Sequence, residues 1–413
     1  MERTVHAPWM TAPSTRAVVD ALTAGGADVR FVGGCVRDAL LGRESSDIDI
    51  GTPDEPERVL ALLEGSGIET RTVPRGVAHG TVTALAEGNR YEITTLRRDV
   101  QTDGRHAEVA FTDDWREDAA RRDFTINAMS LTADGTVHDY FGGRADLKAG
   151  HVRFVGDPAT RIAEDHLRIL RFFRFHAWYG KGEPDAAALE ACKAAAHTIP
   201  SLSGERVQAE MMKLLAADDP VPALNVMQDA GVLDQVLPEA QGMAHLARLV
   251  AIERKVAQPD PIRRLAALIA AAESLAGKTV ADRWRLSAEE GARLTALTTP
   301  EFAPAPDLDG RAQRCLIYRL GPECFRDLVV LEWAKETNDE NEVAWRSMLE
   351  TADAWEAPTF PVSGEDMLAR GIPEGPEVGD LLRAVEDWWI EQDFEPDHAA
   401  MLERLDALVG TRR

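Results

Sequence analysis

Asp47 and Asp49, one residue apart in "SSDIDI" (residues 45–50), carry the first chemical signal in the chain. The run is strand-like, and strand side chains alternate, so both carboxylates share one face while Ile48 and Ile50 share the other. Like charges side by side repel and each resists burial, so such a face either lies in water or receives a cation. Just upstream, the glycines of "GGCVRD" (33–38) end a strand and open a helix. A helix start presents free N–H groups and a positive dipole end, which favour phosphate, and Arg37 adds a guanidinium fork. A phosphate cradle beside paired carboxylates suits a Mg²⁺-nucleotide, because Mg²⁺ takes one or two carboxylates together with substrate phosphates. Glu92, in "RYEITTLRR", lies on a further strand, on the face opposite Tyr91 and Ile93. On an adjacent strand it would bring a third carboxylate to the same spot. Two metals about 4 Å apart can activate an attacking hydroxyl and stabilise the leaving oxygen. Taken singly, each signal has an ordinary counterpart: a tight turn, a solvated edge strand, a surface glutamate.

Further along, "EDHLRILRFFR" spaces Asp165, Arg168, Arg171 and Arg174 by three, so as one helix it puts them on one face. Such a row is either a salt-bridged stripe or a ligand wall. "RRDFTIN", with Arg122, Asp123 and Asn127, is either a helix-capping pair of arginines or part of the same wall.

The elements that must position these residues fall into two textures. From residue 16 to about 145 the chain reads helix (16–30, closed by a glycine pair), strand, helix (35–42), strand (47–52), helix, then two strands around Glu87-Gly88-Asn89. The polar stretch 99–114 reads as a mobile loop. From about 160 onward apolar residues recur at three and four, which predicts helices throughout. The expected divisions are a head (16–145), a neck (146–215), a body (216–355) and a tail (356–413).

The chain has 413 residues and a formal charge of −24, with a net of −6 over residues 1–180 and −18 over the remainder. That balance opposes non-specific binding of nucleic acid but leaves room for a local basic groove. Cys35, Cys192, Cys315 and Cys324 lack CxxC spacing, so neither zinc nor a disulfide framework is indicated. No apolar run is long enough to span a bilayer and the N-terminus lacks a signal core, so a cytoplasmic protein without a membrane partner is expected.

Six segments follow one another in an order that resembles the class II tRNA nucleotidyltransferases, the CCA-adding enzymes grouped with bacterial poly(A) polymerases. They are "FVGGCVRDALLGRESSDIDIGT", "GTVTALAEGNRYEITTLRRD", "DGRHAEVAFTDD", "ARRDFTINAMSL", the run from "HDYFGG" to "EDHLRILRFFRF", and "SGERVQAEMMKLL". The resemblance covers about 30–215 densely, and "FPVSGEDMLARGIPEGPEVGDLLRAVEDWW" looks like the family's tail. It implies an α+β head with a small mixed sheet, the nucleotidyltransferase fold, followed by all-α neck, body and tail. It implies Asp47 and Asp49 as Mg²⁺ ligands, Glu92 as the third active-site carboxylate, and Gly33, Gly34 and Arg37 against the triphosphate. Arg122, Asp123 and Asn127 would contact the nucleotide. Asp165 and Arg168 would read the base, and Arg171 and Arg174 would grip phosphates. The implied partners are the tRNA 3′ end with CTP and ATP, not DNA, and a monomer is favoured.

Alternatives within the family are a poly(A) polymerase and A-adding or CC-adding enzymes; the alternative of another class is a non-catalytic RNA-binding protein. "HGTV" (79–82) looks like the CCA branch, and the full length of 99–114 argues against the loop-shortened CC-adding forms. His138-Asp139 is the sole His-Asp pair, so no appended phosphohydrolase is expected. In the acidic C-terminal half, Arg263, Arg264, Arg311 and Arg314 are expected to gather on a tRNA-facing surface.

Overall fold

In the computed structural model the described residues are 4–45, 47–71, 80–103, 106–270, 275–370, 372 and 375–411. They form two compact units, Met1–Pro238 and Glu239–Arg413. Most of the "VPRGVAHGTV" stretch, residues 73–79, lies outside the described residues.

The first unit is built on a seven-stranded mixed sheet of order β3-β4-β5-β2-β1-β8-β9. The strands are β1 (Arg30–Val32), β2 (Ile48–Thr52), β3 (Glu69–Arg71), β4 (Thr81–Ala86), β5 (Asn89–Thr95), β8 (Met129–Leu131) and β9 (Val137–Asp139). Only β2 and β5 run parallel. Their register sets Ile48 against Tyr91, Asp49 against Glu92 and Ile50 against Ile93. The apolar partners are buried, against helices α1 (Pro13–Thr23) and α3 (Pro56–Gly65), so the carboxylates fall to the opposite face. Helix α1 begins on a proline, whose missing N–H costs nothing there, and is pinned by hydrogen bonds of Ser14 and Thr15 to the Tyr91 hydroxyl at 2.9 and 3.0 Å.

The stretch 99–114 is not a loop. β6 (Arg97–Asp103) and β7 (His106–Phe111) pair antiparallel as a separate two-stranded sheet, with a register shift between Asp99 and Gln101. Helix α4 (Trp115–Ala120) follows, capped by Asp114, which accepts from Arg116 N at 2.7 Å.

Helices then take over: α5 (Gly143–Ala149), α6 (Pro158–Glu164), α7 (Arg168–Tyr179), α8 (Ala186–Ala195) and α9 (Gly204–Leu215). An aromatic cluster fixes α7. The ring of Phe124 lies 4.8 Å from that of Phe154 and 5.0 Å from that of Phe175. Among its described residues the regular elements of the second unit are all helices, packed around Trp284, Trp333 and Trp345, with a separate core of Val362, Met367, Leu381, Trp389, Met401 and Leu405. Among the described residues no helix is long and apolar enough to cross a membrane.

Three of the arginines expected on a tRNA-facing surface are instead committed to acids. Arg264 is 0% exposed, and its Nε donates to Glu253 at 2.6 Å. Arg263 is also buried and donates to Glu253 at 2.7 Å and to Asp327 at 2.9 Å. Arg314 forms a two-point pair with Asp393. Only Arg311 of the four is exposed. Buried guanidiniums tolerate loss of water only when paired. Glu253→Ala, which removes the acid shared by Arg263 and Arg264, is therefore expected to cost about 3–5 kcal/mol in urea unfolding.

Candidate active site

The turn between β1 and α2 (Gly34–Leu40) is made by Gly33 at φ 73°, ψ −127°. A side chain is strained there, and a Cβ would also stand 3.0 Å from Arg122 Nη1 and 3.8 Å from Asp49 Oδ2. Gly33 thus lets the backbone approach the carboxylate strand. Asp47 is the exposed residue just before β2, and Asp49 is partly buried within it. Neither carboxylate has a hydrogen bond or ion pair to another described residue. Burial raises the Asp49 pKa from 3.8 to about 6, with Glu92 and Asp47 adding to the rise and Arg122 opposing it. Glu92 sits in register beside Asp49, but its carboxylate is drawn to Arg90 at 2.5 Å.

Arg37 is buried on α2, stacked over the Tyr179 ring at 4.2 Å, and donates to Asp38 at 2.9 and 3.0 Å and to Asn127 Oδ1 at 2.6 Å. Asn127 in turn donates to Asp123 at 3.1 Å. Asp123 also accepts from Arg171 Nε and Nη2 at 2.8 and 2.5 Å. Burial pushes the Asp123 carboxyl up, but Arg171 and Asn127 outweigh it and hold the group below its ordinary range. Arg122 is steadied by Asp118 at 3.2 Å. Burial opposes ionisation of Asp118, yet Arg122 and Arg121 keep its pKa low.

"EDHLRILRFFR" is not one helix. α6 ends at Glu164, Asp165 is extended at φ −155°, ψ 107°, and α7 starts at Arg168. Asp165 accepts from Leu167 N at 3.1 Å, a local bond that competes with the helical ladder and opens the break. Its other oxygen accepts from Arg206 of α9 at 2.7 Å. Arg168 donates to the Arg161 carbonyl at 2.7 Å and to Glu164. Arg171 and Arg174 meet at Glu210, a buried carboxylate of α9, at 3.4 and 2.5 Å.

A cavity of about 750 Å³ gathers Gly33, Gly34, Arg37, Asp47, Asp49, Arg122, Asp123, Asn127, Asp165, Arg168 and Arg171 in its wall. Glu92 and Arg174 do not line it; Glu92 stands beside Asp49, and Arg174 turns to Glu210 and the Phe175 ring. The wall also holds Arg206 and Lys213, which the sequence reading left unassigned. Their spacing of seven on "GERVQAEMMKLL", two turns on one helical face, was the available signal.

Among the described residues, no three His, Cys, Asp or Glu side chains close into a preformed metal cage. Two oxygen-bearing carboxylates with open coordination fit a hard divalent cation that keeps water and substrate phosphate as its other ligands. Burial chiefly, with the charges of Glu92 and Asp47 adding, raises the proton affinity of Asp49, and a bound cation would offset the cost of ionising it there.

The mixed sheet, the glycine turn and the carboxylates beside an arginine-walled cavity define a nucleotidyltransferase head. Residues 29–153 match the Poly A polymerase head domain family, and 183–243 match a probable RNA- and SrmB-binding site of polymerase A. CCA tRNA nucleotidyltransferase 1, mitochondrial, of Danio rerio is 35% identical over 92% of this chain and 87% of that protein. The CCA-adding enzyme of Levilactobacillus brevis is 32% identical over 90% of this chain and 91% of its own. The crystal structure of Bacillus stearothermophilus CCA-adding enzyme in complex with CTP is 27% identical, with a TM-score of 0.79 over 98% of this chain and 99% of that one. The chain belongs to the CCA-adding tRNA nucleotidyltransferase family, whose chemistry uses a divalent metal.

The Asp49 shift has a consequence for stability. A carboxyl whose pKa is raised on folding binds its proton more tightly in the folded state, so stability is lost as pH rises from about 4 through about 6. With chelator present, Asp49→Asn is expected to raise the thermal midpoint at pH 8 and to leave it unchanged at pH 4. A divalent cation should raise the wild-type midpoint at pH 8 and not the variant's.

Proposed function

We propose that this chain adds C, C and A to the tRNA 3′ end from CTP and ATP, without a nucleic-acid template, releasing pyrophosphate at each step. The observation that carries this reading is that Asp47 and Asp49 share one cavity with Asp165 and Arg168. One pair suits phosphate chemistry and the other suits recognition of a base.

Asp47 and Asp49 hold Mg²⁺, with Glu92 as the neighbouring carboxylate. When bound, Mg²⁺ supplies Lewis-acid activation of the attacking hydroxyl and neutralises charge on the leaving group. The Gly33-Gly34 backbone and Arg37 receive the triphosphate, and Arg122 lies between them and the metal carboxylates. Arg171, held by Asp123, and Arg174, through Glu210, brace the phosphate side. The terminal 3′-oxygen of the tRNA forms a bond to the α-phosphorus, the bond to the β-phosphate bridge breaks, and pyrophosphate leaves.

Asp165 and Arg168 select the base. Cytosine offers an N4 amine donor beside an N3 acceptor, and adenine offers N6 beside N1 in the same order. Asp accepts and Arg donates, so one pair meets both. Uracil and guanine present a carbonyl and an N–H at those positions, and buried groups would be left unpaired. A site built for a hydrogen bond rejects such a misfit strongly. The switch from C to A rests on the growing RNA end and the β6–β7 hairpin. Such chemistry on tRNA fits a cytoplasmic enzyme.

The test is a tRNA lacking its 3′ end, incubated with Mg²⁺ and CTP, ATP or both. CTP alone should add two residues, and both together three; an adenosine ladder or arrest after C, C would contradict the reading. Asp47→Ala should abolish incorporation, by about 10³-fold or more, while tRNA binding by filter assay survives.

A further inference from the structure

Asp165 stands between α6 and α7 on extended backbone, so no helix geometry fixes its side chain. Two donors do so instead. Leu167 N–H donates to Oδ1 at 3.1 Å, and Arg206 Nη2 donates to Oδ2 at 2.7 Å. The first is local to the break. The second crosses from α9, a helix seated by the buried Val207, Met211, Leu214 and Leu215. The next turn of α9 carries Glu210, which holds Arg171 and Arg174 of α7. α9 is therefore a bracket with its own core, and Arg206 projects from it into the wall of the cavity that Asp165 also lines.

We propose that Arg206 is a positioning residue for nucleotide selection: it aims the Asp165 carboxylate so that its free lone pairs meet an exocyclic amine. The inference rests on the base-reading role of Asp165. An ionised carboxylate has about four acceptor sites and no donor. Leu167 and Arg206 take one on each oxygen, which fixes the plane of the group and leaves acceptor capacity on the remaining edges. The planar guanidinium imposes direction where a lysine ammonium would supply only charge.

A purely structural role fits the pair poorly. The side chains of Arg206 and Asp165 are 27% and 26% exposed, unlike those of Arg264 and Glu253 at 0% and 1%. Ion pairs that remain partly in water add little to stability. What this pair contributes is orientation.

The experiment measures single-nucleotide kcat/KM for CTP and UTP on tRNA lacking its 3′ end, in wild type, Arg206→Ala, Arg206→Lys, Asp165→Ala and the double alanine variant. Loss of Arg206 should lower the CTP-over-UTP ratio about tenfold or more, the scale of a lost charge-assisted hydrogen bond. Arg206→Lys should lose less. The double variant should be no less selective than Asp165→Ala alone, because a residue acting only through Asp165 has nothing left to act on. Should the alanine variant not fold, Arg206→Gln carries the same comparison. Unchanged selectivity in Arg206→Ala alongside a collapse in Asp165→Ala would overturn the proposal. So would losses that multiply in the double variant, since Arg206 would then contact the nucleotide itself. If Asp165→Ala leaves the ratio unchanged, the base-reading role falls first, and the proposal with it.

Discussion

Charge crowding where β2 meets β5 is the constraint on which the rest of the site depends. Parallel pairing sets Asp49 beside Glu92, and Asp47 precedes them by one pleat. The arrangement makes Asp49 cling to its proton up to about pH 6, since burial and the neighbouring acids outweigh Arg122. A protein that keeps such a spot forgoes stability unless a cation arrives. The Gly33 turn, where a Cβ would stand 3.0 Å from Arg122 Nη1 and 3.8 Å from Asp49 Oδ2, lets the backbone between β1 and α2 close on the carboxylate strand.

The far wall of the cavity follows a different logic. Its arginines are already paired, Arg171 with Asp123, Arg168 with Glu164 and Arg206 with Asp165. Such pairs add modestly to stability, but they hold long side chains in one geometry before the substrate enters. Phe124, Phe154 and Phe175 supply the apolar contact that keeps α7 in place while these polar groups face the cavity. Rigid aromatic packing behind and satisfied charges in front suit a protein surface that stands in for a template.

Much of the head was legible because burial enforces period two. Ile48 and Ile50 face the core, so Asp49 could face only the other way. Other parts were hidden in tertiary pairing. The break at Asp165 carries no proline or glycine, and arises when its side chain takes the Leu167 N–H from the helix. β6 and β7 form their own two-stranded sheet apart from the main one, and the polar run 99–114 has little periodicity to announce it. Arg263 and Arg264 look like surface cations in sequence, but Glu253, ten and eleven residues upstream on the preceding helix, and the distant Asp327 pair with them in the interior.

The central claim is that Asp165 and Arg168 distinguish C and A from U and G through the exocyclic amine and the ring nitrogen beside it. The most direct measurement gives the enzyme the triphosphates of 2-pyrimidinone riboside and purine riboside, which are cytidine and adenosine without that amine. The account predicts that both fall below CTP and ATP in kcat/KM by about 10²-fold or more, because Asp165 is left facing no donor. Incorporation of either analogue as efficiently as its natural counterpart would contradict it.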